Sequence, residues 1–300
     1  MEASPTTHAT PTIATLFVVA TPIGNLDDLS PRALHVLRSV AAIAAEDTRV
    51  SRTLLHRHGI HTDIFPAHAH NEEIAAQQVL ERLQRGQSVA LISDAGTPAV
   101  SDPGSRIVAA AHALGYTVTP IPGPSAVLAL LCAAGLEGEG FRFIGFLPSQ
   151  GGARRRRLEA LRDEPAIVVF FEAPHRIAAT LEALATVFDG ARPLVIGREL
   201  TKRFEEIARL PVSAASAWLT AQPHRSRGEF VLAIGPKPFA DAPVAPGLAS
   251  DPAAAAFADR LLKALASELP AASAARVAAS VLEAPRQALY QRLLALKASP

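Results

Sequence analysis

Cysteine is almost missing from this chain: of 300 residues only Cys132 carries a thiol, so no intrachain disulfide can form and a reducing compartment is permitted. It lies in the apolar run 127–134, where it reads as a small filler in a helix. Long hydrophobic runs are lacking too. None approaches the length needed to cross a bilayer, and the first fifteen residues hold no Lys or Arg ahead of the apolar run 16–20. Charge of one sign is also lacking: 29 Lys and Arg against 28 Asp and Glu leave a formal +1 with pI near 8.1. A nucleic-acid partner would therefore be held by local patches, not by an overall basic field. Neither GxGxxG nor GxxxxGK[ST] occurs, which argues against a Rossmann fingerprint and a Walker phosphate loop. These absences leave a soluble, cytoplasmic, globular chain with a frayed N-terminus. At 300 residues and 49% hydrophobic content it is large enough for two domains.

The most informative stretch present is 93–104, SDAGTPAVSDPG, which follows the apolar run VALI. In open α/β sheets strands present their carboxyl ends to ligands, and Gly96 and Gly104 let main chain approach where a Cβ would collide. A second run, 117–121, ends the same way in PGPSA. Two such strand-end loops suggest opposite walls of one small-molecule site. Run 16–20 ends in TPIGN, Ser30 and Pro31 start a helix reaching about Val40, and run 41–45 is followed by Glu46, Asp47, Thr48 and Arg49. Asn71 caps a helix to Gly86; strand 88–93, helix 105–114, strand 117–121 and helix 125–134 complete an alternating pattern typical of a parallel sheet covered by helices.

Three glycines within 135–140 mark a domain boundary. Beyond it, 141–147, 166–171, 194–198, 204–210 and 228–234 are expected strands, with helices near 153–162, 174–188 and 213–221; the hairpin-like spacing of 194–198 and 204–210 makes this sheet mixed or antiparallel. The expected layout is a frayed segment 1–15, an N-terminal α/β domain 16–138, a second α/β domain 139–236, a Pro/Ala/Gly linker 237–252 and a helical appendage 253–300. Asp94 and Asp102, with the amides of Gly96 and Thr97, suit a ligand carrying amine, hydroxyl and carboxylate groups, a description that S-adenosylmethionine fits. Asp102, ahead of Pro103, can equally be a turn former, and of the two roles the turn is slightly favoured for it though not for Asp94.

The segments ATPIGNLDDLSPRA, AAEDTRVSRTLL, SDAGTPAVSDPG, IPGPSA, GFLP, FFEAPHR, GRELTK and RGEFVLAIG together resemble the tetrapyrrole-methylase superfamily. Their order and wording resemble, more closely, its ribosomal RNA small subunit methyltransferase I family. The resemblance spans about 16–234, and 272–297 is similar to that family's short C-terminal helical domain. It implies a two-domain tetrapyrrole-methylase-like (class III methyltransferase) α/β fold, with a parallel N-terminal sheet, a mixed second sheet and a helical appendage. It implies methyl transfer from S-adenosyl-L-methionine to the ribose 2′-hydroxyl of a cytidine in the decoding region of 16S rRNA, by a homodimer with no membrane association. Carried over by motif, Pro22, Asp94, Thr97, Ser125, Ala126, Phe171, Gly228, Glu229 and Phe230 would line the cofactor pocket.

A sulfonium methyl is already activated, so alignment with the hydroxyl dominates and proton removal helps by roughly 100- to 10,000-fold. Asp47, Glu172, His175, Glu199 and Lys202 are the candidates for that role. Glu172 can equally be an internal partner of Arg176, the pair Arg198 and Glu199 can equally be an internal ion pair, and Lys202 qualifies only if burial depresses its pKa. For RNA phosphates the run Arg154, Arg155, Arg156 and Arg157 is the main expectation; Arg49, Arg52 and Arg57 form a second patch and Arg276, Arg286 and Arg292 a weaker third. His56, His58, His61, His68 and His70 cluster in sequence without the spacing of a closed metal motif, so no metal is expected. Two alternatives stand beside this reading: a tetrapyrrole C-methyltransferase, and a non-catalytic RNA-binding assembly factor of the same fold.

Overall fold

The structure, a computed structural model, describes residues 13–236, 252–282 and 284–298. The expected frayed N-terminus and linker lie outside the described residues, except for 13–15 and 252. Two compact units result, divided at Pro236.

In the first unit, β1 (Thr15–Val19), β2 (Ala42–Ala45), β3 (Asp63–Pro66), β4 (Val89–Ile92) and β5 (Thr117–Ile121) form a sheet of order β3-β2-β4-β1-β5, parallel throughout. Helices α1 (Pro31–Ser39) and α2 (Thr48–Arg57) cover one face through Val36, Leu37, Leu54 and Leu55. The other face is covered by α3 (Glu72–Gln84) and α4 (Ser105–Ala113) through Val79, Leu83 and Ile107. Ser30 caps α1 as expected, its hydroxyl accepting from Ala33 N at 3.1 Å. Asn71 precedes α3 without capping it; its side chain accepts from His68 N and donates to Pro66 O, closing the preceding turn.

Sequence patterning missed α2 and β3. Only Ser51, Leu54 and Leu55 of α2 are buried, too narrow a stripe to stand out. The edge strand β3 buries a single side chain, Phe65.

Helix α5 (Ala126–Ala134) leads to the second sheet, of order β6-β7-β10-β8-β9. It is built from β6 (Phe141–Phe146), β7 (Ile167–Glu172), β8 (Pro193–Arg198), β9 (Glu206–Pro211) and β10 (Phe230–Ile234). β6 and β7 run parallel and the remaining pairs antiparallel, so the sheet is mixed. Helices α6 (Gly151–Glu159), α7 (Ile177–Val187) and α8 (Ala215–Thr220) bury one face against Phe170, Ile196 and Leu232. On the opposite face α5 packs Val127, Leu130 and Ala134 against Val169, Val195 and Val231. The chain thus changes sheet at the glycine-rich 135–140 segment, and both sheets belong to one compact body, α5 packing on the second sheet together with Ile23 from the loop after β1.

The second unit contains α9 (Pro252–Glu268), α10 (Ala271–Leu282) and α11 (Arg286–Ala298) around Leu262, Ala274, Ala278, Leu289 and Leu293. Arg292 of α11 pairs with Asp259 of α9, Nη2 to Oδ2 at 3.1 Å. No helix among the described residues is long and apolar enough to cross a membrane.

Candidate active site

Because the first sheet is parallel, the loops after β1, β2, β4 and β5 emerge along one edge. They are stitched together by main chain. Thr21 and Gly96 exchange backbone hydrogen bonds at 2.8 and 3.0 Å, Thr21 Oγ1 donates to Ser93 O at 3.0 Å, and Thr97 Oγ1 donates to Pro124 O at 3.3 Å. Facing this edge are the ends of β7 and β10 from the second sheet. Between them lies a cavity of about 370 Å³, the size of one small ligand. Ile23, Gly96, Thr97, Asp102, Ser125 and Ala126 line one wall, and Phe171, Glu172, Leu200, Glu229 and Phe230 the other.

The walls differ in charge. Asp102 is pushed up to about 6, first by burial and then by Glu46 and Asp94 behind it. Burial likewise raises Glu46 and Asp94 above the usual carboxylate range. Asp94 Oδ1 accepts from Asp47 N at 3.0 Å and Glu46 Oε2 accepts from Asp94 N at 3.3 Å, so these carboxylates sit behind the cavity wall as a linked group.

On the opposite wall Lys202 Nζ donates to Glu199 Oε1 and Glu229 Oε2, each at 2.9 Å. Gly228, at φ +92°, accepts no substitute there: a Cβ would lie 2.6 Å from Glu199 Cγ. Glu199 and Thr201 both adopt left-handed backbone, at φ +52° and +66°, which turns Leu200 into the cavity.

Comparison with known proteins accords with this geometry. The tetrapyrrole (corrin/porphyrin) methylase family matches residues 15–216, and the RsmI C-terminal HTH domain matches 251–297. The chain is 49% identical over 289 residues to the Ribosomal RNA small subunit methyltransferase I of Mesorhizobium japonicum, covering 96% of this chain and 94% of the relative. Its namesake from Pseudomonas aeruginosa is 46% identical, covering 93% and 96%. The chain belongs to the ribosomal RNA small subunit methyltransferase I family. Among solved structures, a cobalt precorrin-4 methyltransferase superposes with TM-score 0.55 at 17% identity, covering 76% of this chain and 97% of its own, and a diphthine synthase with TM-score 0.53 at 17% identity, covering 74% and 90%. These share the fold.

As a methyltransferase the chain needs a donor pocket, and six of the nine positions carried over for one line the cavity: Thr97, Ser125, Ala126, Phe171, Glu229 and Phe230. Pro22, Asp94 and Gly228 stand one residue or more behind it; Ile23 lines the wall in place of Pro22, and Asp94 holds the Asp47 amide. The amide of Gly96, expected to face a ligand, is taken by Thr21. Asp102, left open by the sequence between a ligand-facing carboxylate and a slightly favoured turn former, lines the cavity. An Asp-Pro pair carries no signal separating these roles; only the folding of loop 93–104 beneath β6 turns Asp102 inward.

The candidate proton acceptors are largely engaged. Glu172 is buried, accepting from Thr180 Oγ1 at 2.6 Å and Ala173 N at 2.8 Å, with Arg176 Nε 3.0 Å away, so the internal ion pair is what forms. Although burial pulls Lys202 down, its two carboxylates hold it above the usual lysine range; the depressed pKa that a lysine base requires is not met. Burial pushes Glu199 up, but Lys202 and the Glu229 amide outweigh it and leave its carboxyl below the ordinary value. Arg198 makes no pair with Glu199, donating instead to the carbonyls of Arg227 at 2.7 Å and Phe204 at 3.1 Å. His175 is exposed in the turn before α7 and is not part of the cavity lining. Asp47 caps α2 and is held at about 2 by Arg49.

The arginines divide as well. Arg154 is only 7% exposed, on the face of α6 that carries Leu158 into the core, and so is removed from the RNA-facing set. Arg155 pairs with Glu159 at 2.9 Å, and Arg49 is drawn onto Asp47 at 2.8 Å. Arg156 and Arg157 are exposed and have no carboxylate partner among the described residues.

Proposed function

We propose that this chain transfers the methyl group of S-adenosyl-L-methionine to the ribose 2′-hydroxyl of a cytidine in the decoding region of 16S rRNA, in the cytoplasm and as a homodimer. The observation that carries the reading is the cavity: one cofactor in volume, and lined by a carboxylate, Asp102, that has no cationic partner among the described residues. The cofactor supplies an activated, positively charged methyl sulfonium. The cavity's residues fit that group, since Asp102, backed by Glu46 and Asp94, makes the cavity negative with no Lys or Arg paired to these carboxylates among the described residues.

Asp102 would favour the cationic donor over its neutral demethylated product, which aids turnover. Thr97, Ser125 and Ala126 offer small side chains and main chain to hold the donor, and Phe171 and Phe230 exclude water from it. With Glu172, Glu199 and Lys202 engaged in ion pairs, alignment of the hydroxyl contributes more than proton abstraction. The dimer is supported by exposed apolar side chains around α5 and β9, namely Leu128, Phe204 and Ile207; light scattering at the mass of two chains tests it.

The test of the activity is transfer from labelled S-adenosylmethionine to purified small ribosomal subunits and to free 16S rRNA, followed by nuclease digestion and mass mapping. The expected product is a single 2′-O-methylcytidine. Cofactor binding without transfer to either RNA would overturn the assignment.

A further inference from the structure

The target base needs a place of its own. A cavity of about 370 Å³ that holds the methyl donor has no room for a nucleoside beside it, so the ribose must be presented at the mouth and its base must lie against the rim. Two apolar side chains on the lining are strongly exposed: Phe146 at 56% and Val100 at 45%. Solvated apolar groups at a cavity mouth are unfavourable unless something covers them.

Backbone distortion on both sides aims these two residues. Ala99 and Ser101, flanking Val100, are both left-handed, at φ +65° and +66°. Residues with a Cβ pay for that conformation in steric strain, which persists where the surrounding structure enforces it. On the other side, the β6 to β7 register slips between Phe143 and Phe146, and Gly145 in the slip has φ +66°. Such bulges re-aim a side chain at a strand end. The two distortions touch: a Cβ on Gly145 would come within 2.9 Å of Ser101 Oγ. Phe146 is further held edge-to-face on Phe171 at 5.5 Å, and Phe171 on Phe143 at 5.0 Å. A braced ring therefore stands opposite a strained apolar loop, with Arg156 and Arg157 only one helical segment downstream.

We propose that Phe146 and Val100 form a slot that takes the unstacked base of the target nucleotide, with Phe146 as its stacking surface. This rests on the RNA methylation proposed above. Aromatic faces are how proteins commonly hold bases drawn out of a stack, and a slot of this kind presents the attached ribose to the cavity.

The test compares the wild type with Phe146→Ala and Phe146→Tyr. It measures kcat/KM on small subunits lacking the methyl group, binding of those subunits, and S-adenosylmethionine binding by calorimetry. Phe146→Ala is expected to lower kcat/KM and subunit affinity by about 10- to 100-fold, the range of a lost base–aromatic stack, while cofactor affinity stays within about twofold of wild type; Phe146→Tyr restores both. A parallel loss of cofactor affinity would assign the ring to the donor and overturn the slot. So would an alanine variant that methylates and binds subunits normally beside an active wild type. A wild type inert on RNA would overturn the methylation reading itself, and the slot with it.

Discussion

The two walls of the cavity treat charge in opposite ways. On the mixed-sheet wall each carboxylate meets a cation: Glu172 with Arg176, and Glu199 and Glu229 with Lys202. On the parallel-sheet wall Glu46, Asp94 and Asp102 have no Lys or Arg within ion-pair distance among the described residues, and all three are harder to ionise than usual. A compensated wall keeps its shape without a ligand. An uncompensated wall is stabilised when a cation arrives, and that asymmetry is the ground for proposing this side as the one that grips the positively charged donor.

The contrast can be broken most severely at Glu172. Replacing it with Ala leaves the half-buried Arg176 and the buried Thr180 hydroxyl without their shared partner, an expected loss of about 2–3 kcal/mol in urea unfolding; a loss below about 1 kcal/mol would show that the pair is dispensable to the wall. Asp102→Asn should do the reverse to stability. A folded-state value of about 6 lies above the ordinary 3.8, so the wild type's stability is fully present below pH 4 and declines as pH rises through 6. The variant should therefore melt above the wild type at pH 8 and with it at pH 4, while its cofactor affinity falls by roughly tenfold or more. The wild type's own affinity should weaken as pH drops below 6, and a flat affinity profile would remove Asp102 from the donor site.

Lys202→Met sharpens the distinction between shape and chemistry. It should raise the cofactor KM several-fold and cost about 1–2 kcal/mol, leaving the pH dependence of kcat unchanged; loss of the basic limb would return Lys202 to the role of base. The smallest expected effect is at the exposed arginines. Gln at both Arg156 and Arg157 should weaken subunit binding and reduce the slope of log K against log salt by about 1–2. Gln at Arg154 should leave that slope alone and lower thermal stability, as expected of a buried side chain.

Much of this was legible in the chain. The apolar runs 16–20, 41–45 and 88–93 became β1, β2 and β4 because a parallel sheet covered on both faces needs nearly continuous apolar strands, and 117–121 became the edge strand β5, of which only Ile121 is buried. SDAGTPAVSDPG and PGPSA both reached the cavity, as loops at parallel strand ends must. Harder to see were side chains whose role depends on what folds over them. Asp102 shares its Asp-Pro signature with any surface turn, and Phe146 within GFLP gives no hint of the register slip that points it outward. In the run of four arginines, helical geometry sent Arg154 inward and Arg156 and Arg157 to solvent.

By itself the sequence determined the alternating order of elements apart from α2 and β3, the strand-end loops and the family, since each is written in local apolar periodicity and in short motifs of neighbouring residues. Tertiary structure alone decided which charges are compensated. Glu172 with Arg176 was readable because four residues separate them, but Lys202 meets Glu229 only where β8 and β10 pair, and the carboxylates of Glu46, Asp94 and Asp102 converge only because β2 and β4 lie side by side. A charge's behaviour depends on the distance to its neighbours and on the water left around it, and both are properties of the fold.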